Sequence, residues 1–92
     1  MGVKERTLRL VKQPSPQAVK SAYGAALRKF RHAAGLSQMK LADRAGIHFT
    51  YLADAERGKR NIGLVNIVRI VAALGISLDR FFREVEVQLA AK

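Results

Sequence analysis

Glycines at positions 35, 46, 58 and 75 each follow a stretch whose apolar residues recur at helical spacing. A glycine just past an apolar-periodic stretch is the common helix stop, because it takes the left-handed backbone without a Cβ penalty. Four such stops divide the chain into a series of separate helices. Ser15-Pro16 opens the first, serine as N-cap and proline at N1, where its missing N–H costs nothing. Val19, Tyr23, Ala26, Leu27, Phe30 and Ala34 then mark one face of a helix of about 18 residues. Gly24 weakens its middle by about 1 kcal/mol. Ser37 caps a second helix from Gln38 to Ala45. Its N3 residue is Lys40, so the reciprocal half of a capping box is missing. A third helix begins near His48 and ends before Gly58, a fourth runs Leu64 to Leu74, and Ser77 caps a fifth from Leu78 to about Val85. The reading is all-α, five helices and no convincing strand. Residues 1–14 form a basic N-terminal arm, 15–85 the folded domain and 86–92 a tail that extends the last helix or frays. Within the arm, Thr7 to Val11 alternates loosely enough for a short edge strand.

Composition sets the partners. The chain has 92 residues, 17 Lys and Arg against 7 Asp and Glu, and no cysteine. One domain fits in that length, with a core modest enough that a second copy would help cover it. Disulfides, thiolate catalysis and cysteine zinc sites are excluded. No apolar run approaches the roughly 20 residues that span a bilayer. Lys4, Glu5, Arg6 and Arg9 interrupt the first residues, unlike a secretory leader. A cytoplasmic location is expected, nucleoid-associated when DNA is bound. The net charge of +10 asks for an anionic partner, DNA or RNA before an acidic membrane face. Residues 1–36 hold eight basic side chains against Glu5 alone, so +7 of the +10 lies before the second helix.

Two short helices joined by a turn centred on Gly46 have the geometry of a helix-turn-helix. Ala42 is small where the third helix crosses close over it. Leu41, Ala45, Ile47, Leu52 and Ala55 point inward, while His48, Thr50, Ala53, Asp54 and Arg57 face out. The wider string strengthens this. Gly35-Leu36-Ser37-Gln38, Leu41-Ala42, Gly46, Glu56-Arg57-Gly58-Lys59-Arg60 and Ala73-Leu74-Gly75 resemble the Xre/phage-repressor family, a likeness covering residues 26–82. Thr50-Tyr51, Glu56-Arg57 and Arg60-Asn61 look like the controller proteins of restriction–modification systems within it. The resemblance implies a lambda-repressor-like DNA-binding domain whose third helix enters the major groove.

Under that resemblance His48, Phe49, Thr50 and Asp54 are the base contacts. Thr50 can bond a base edge or touch a thymine methyl, and Asp54 can accept from cytosine N4. Phe49 is a departure, since relatives often place Arg or Gln there; it offers apolar contact only, and DNA shape then carries more of the readout. Gln38 at a helix start and Arg57, Lys59, Arg60 and Asn61 beyond the third helix are the phosphate contacts. Arg31 and Glu56 form a structural ion pair beneath the recognition helix. The fourth helix is polar only at Asn66 and Arg69, so a second cover is expected for it. A homodimer through Val65, Val68, Leu78, Phe81, Phe82 and Val85 would set two recognition helices about 34 Å apart, one DNA turn.

Each assignment has a plainer alternative. Phe49 can be a core aromatic, the fourth helix a central core helix, and the arm a solvated tail. His32 and His48 stand apart from any acidic cluster, so they read as surface histidines and no metal is expected. No cofactor or small-molecule ligand is readable, and no nucleophile–base constellation or phosphate loop suggests an enzyme. The function expected is a sequence-specific double-stranded-DNA-binding transcriptional regulator, acting as a dimer on a pseudo-palindromic operator. The alternative is an antitoxin-type helix-turn-helix protein that grips a partner toxin as well as DNA. An RNA-binding role is disfavoured by the lack of an aromatic platform for unstacked bases.

Overall fold

The structure, a computed structural model, describes residues 13–91. The edge strand expected at Thr7–Val11, and nearly all of the arm, lie outside the described residues. Five helices follow one another: α1 (Pro16–Ala33), α2 (Gln38–Ala45), α3 (Phe49–Glu56), α4 (Leu64–Leu74) and α5 (Leu78–Ala90). Local chemistry explains their starts. Ser15, Ser37 and Ser77 each accept the N–H three residues on, at 3.0, 3.1 and 3.0 Å, and so satisfy an orphan donor of the first turn. The α2–α3 turn is made by Gly46 at φ 70°, whose N–H reaches back to the α2 carbonyls.

α1 packs most extensively on α5, α2 on α4, and both α1 and α2 on α3. The centre is filled by Leu27, Leu41, Leu52, Ile70, Val71 and Phe81, all essentially without solvent contact. Phe30 and Phe81 meet there with ring centroids 6.4 Å apart. Among the described residues no buried side-chain nitrogen or oxygen lacks a partner. Nor is any helix there long and apolar enough to cross a membrane.

Two expectations change and one alternative is resolved. Phe81 and Val85 were expected at a dimer interface, but they face α1 and belong to the core of a single copy. Leu78 and Phe82, on the flank of the same helix face, stay partly exposed at 39% and 40%. Of the two alternatives for the tail it is the extension that is seen, α5 running on to Ala90. Phe81, Val85 and Leu89 continue one apolar stripe with no glycine or proline to stop it. Finally, Gly24 does more than weaken α1. A Cβ at this position would stand 2.7 Å from the Ala55 carbonyl oxygen and 2.8 Å from that of Glu56, so its bare backbone lets α1 and α3 cross in contact.

Candidate nucleic-acid interface

α3 is eight residues long and its two faces have opposite fates. Leu52 and Ala55 are buried against α1 and α2. His48, Phe49 and Thr50 are exposed, and Ala53 and Asp54 half-exposed. Phe49 is 44% exposed, which rules out a core aromatic in a single copy and leaves an apolar ring at the start of a polar helix face. His48 is the N-cap, its Nδ1 accepting the Thr50 N–H at 3.1 Å. A ring nitrogen that accepts carries no proton, so the other nitrogen, Nε2, is left to donate.

The far end of α3 is held from below by Glu56, which is 3% exposed. Arg31 grips its carboxylate with two bonds, Nε to Oε2 at 2.6 Å and Nη2 to Oε1 at 3.0 Å. A parallel pair of this kind fixes orientation as well as charge. Arg31 Nη1 also donates to the Leu36 carbonyl and Arg28 to the Glu56 carbonyl, both at 3.0 Å. Gln38 Nε2 completes the set, donating to Glu56 Oε1 at 3.0 Å. The Gln38 amide is thus turned onto Glu56, tying α2 to α3, and its second N–H is left over from that bond.

Beyond α3 the chain forms a basic loop, Lys59 to Gly63, exposed except at the buried Ile62. Asp54 is the acid among its cations. Its carboxylate accepts from Arg57 at 2.7 Å and lies 3.7 Å from Arg60. The Arg57 hydrogen bond, with the charges of Arg57, Arg60 and Lys59, holds the Asp54 carboxyl below the usual carboxylate range. Asp54, the residue expected to accept from cytosine, here accepts from Arg57 and lies within ion-pair distance of Arg60. Arg60 in turn lies over the Tyr51 ring, 4.7 Å from its centre. Arg57, Lys59, Arg60 and Asn61 are all exposed around this point.

Some parts of this arrangement were not read from the sequence. Tyr23 of α1 donates to the Arg60 carbonyl and accepts from the Ile62 N–H at 3.0 Å. Gln17 donates to the Gly58 carbonyl at 3.1 Å. Both reach from the first helix to a loop far along the chain, and only the apolar period at Tyr23 was visible beforehand. Among the described residues no three His, Asp or Glu side chains gather as a metal site would require.

Comparison with known proteins bears directly on this geometry. A family model described as helix-turn-helix matches residues 27–81, more than half of the chain. The chain belongs to that family. Within it, control protein C.MunI of a Mycoplasma species is 39% identical over 69 residues, 74% of this chain and 93% of the relative. The crystal structure of the restriction–modification controller protein C.AhdI of Aeromonas hydrophila is 41% identical, with a TM-score of 0.64 over 72% of this chain and 94% of that one. A third, the controller protein C.Esp1396I, was solved as a tetramer in complex with its natural 35 base-pair operator. It is 25% identical, with a TM-score of 0.74 over 78% of this chain and 95% of that one. The matched residues include α2, the Gly46 turn and α3.

Proposed function

We propose that this protein is a sequence-specific transcriptional regulator of the controller type, binding double-stranded DNA as a dimer on a pseudo-palindromic operator. The observation that carries the reading is the division of α3: one face is locked into the core and the other presents His48, Phe49 and Thr50 beside the basic loop. A helix so held, exposed at its N-terminal end and flanked by cations, suits a major groove with its two phosphate walls. The operator-bound state of the C.Esp1396I relative supports the same use of the fold. The chain acts by binding, not by catalysis, and the cytoplasm is its proposed location.

Roles follow from chemistry. His48, with Nδ1 engaged in the cap, meets DNA as a donor through Nε2 and so favours guanine O6 or N7 or thymine O4. Thr50 bonds a base edge or packs on a thymine methyl, and Phe49 packs on a methyl. Arg57, Lys59, Arg60 and Asn61 take phosphates. Asp54 restrains two of those arginines and reaches a cytosine amino group only when they move onto the backbone. The dimer is proposed through Val65, Val68, Leu78 and Phe82, which a single copy leaves exposed.

Selection of binding sites from random duplex DNA tests the reading, followed by two variants on the selected site. Thr50→Ala is expected to cost about 1–3 kcal/mol on that site and little on random duplex. Arg60→Ala is expected to weaken all duplexes alike and to flatten the salt dependence by about 0.9 log units per decade for each phosphate lost. An unstructured pool of selected sequences, or equal losses for Thr50→Ala on both duplexes, would defeat the sequence-specific reading.

A further inference from the structure

Between Gly58 and the start of α4 the chain has no helix or strand to define its path. Among the described residues the Arg60 carbonyl and the Ile62 amide find no backbone partner. Both are taken instead by one oxygen. The Tyr23 ring is buried in the core, and its hydroxyl donates to the Arg60 carbonyl while accepting from the Ile62 N–H at 3.0 Å. We propose that the Tyr23 hydroxyl is the positioning group of the loop, fixing its main chain on both sides of Asn61 so that Arg60 and Asn61 are presented to DNA.

This deepens the proposed function and rests on it. The main chain at Arg60 is held by Tyr23, and the guanidinium by the Tyr51 ring and Asp54. Backbone and side chain are thus set by separate groups, and a loop main chain fixed in advance loses less freedom on meeting DNA. Phenylalanine at position 23 would fill the same core space yet hold neither Arg60 nor Ile62. The hydroxyl therefore has a purpose that packing alone does not explain. Tyr23 itself lies beneath the loop and touches no DNA. Burial pushes its phenol above the ordinary value of 10.0, so it keeps the proton it donates at neutral pH.

The experiment compares wild type, Tyr23→Phe, Arg60→Ala and the double variant on the selected operator and on random duplex, across a salt series and well below the melting temperature. Tyr23→Phe is expected to bind both duplexes about tenfold more weakly, the scale of one or two lost hydrogen bonds. Its salt slope should fall by about one log unit per decade, as for one phosphate contact. The double variant should fall below Arg60→Ala by less than the full Tyr23→Phe penalty, because the two changes share the Arg60 contact and differ only in that of Asn61. A role in packing alone would lower the melting temperature without moving the slope. Wild-type affinity and slope in Tyr23→Phe, or penalties that multiply in the double variant, overturn the proposal.

Amide exchange of the wild-type protein gives a measurement independent of any variant. The Ile62 N–H should exchange far more slowly than that of Asn61, and equal rates overturn the proposal even if Tyr23→Phe fails to fold. Failure of the underlying reading looks different: wild type would then show no salt-dependent operator binding, or Arg60→Ala would leave it unchanged.

Discussion

Gly24 sits where two tendencies oppose each other. In mid-helix an alanine is better by about 1 kcal/mol. Here its methyl carbon would meet the Ala55 and Glu56 carbonyl oxygens at 2.7 and 2.8 Å, and these are backbone atoms that cannot rotate away. Overpacking of that kind costs about 1–3 kcal/mol and exceeds the gain in propensity. Gly24→Ala is therefore expected to lower stability in urea unfolding; a higher midpoint would mean that α3 can slide off α1. Asp54 presents a second contest, between restraining Arg57 and Arg60 and reaching a base. Asp54→Asn should raise affinity for random duplex about two- to fivefold, the scale of one or two exposed ion pairs, and reduce discrimination. Competition of operator against random duplex measures both. Arg31 and Glu56 could be paired beforehand only through family resemblance. The need for a bare backbone at Gly24, and the grip of Tyr23 on the loop, depend on carbonyls and amides distant in the chain, for which no local signal exists.

Helix limits, in contrast, are written locally. α2 begins after the serine start read for it, and α2 and α4 end at the glycine stops read for them, because caps are made by neighbours in the chain. Whether the tail would extend α5 or fray was left open by its local sequence; its apolar stripe continues through Leu89, and tertiary packing decides how far a helix persists. The same stripe divided the aromatic cluster, sending Phe81 inward and Phe82 outward. α4 divides likewise: Ile70, Val71 and Leu74 are buried, while Leu64, Val65 and Val68 are exposed at 67%, 65% and 42%. Three adjacent aliphatic side chains on one helix face, with Leu78 and Phe82 on the next helix, suit a second copy. Val68→Asp should give a monomer by light scattering with an unchanged helical spectrum, and should weaken operator binding. A dimer that survives Val68→Asp would place the interface elsewhere.

For the molecule as a whole, charge and core are separately arranged. The +10 charge suggested an anion without choosing one; the choice came from the shape of α2, the turn and α3. Tyr23 links the two systems, since a core phenol holds the charged loop, and this gives stability a pH limit. Its pKa is raised in the fold, so the folded state favours the neutral phenol. The Tyr23 contribution is complete below the ordinary value of 10.0 and is lost as pH rises through the higher folded value. Between pH 9 and 11, wild type should lose more stability than Tyr23→Phe in thermal unfolding, and parallel curves would remove Tyr23 as the group responsible. The groups assigned to DNA lie on α3 and its loop, whereas the exposed apolar side chains proposed for the dimer lie on α4 and α5. Two chains that differ only on the outward side of α3 would thus still recognise each other. Co-produced in one cell, they would form mixed pairs that read one half-site each, silencing both parental operators and creating a third that neither chain serves alone.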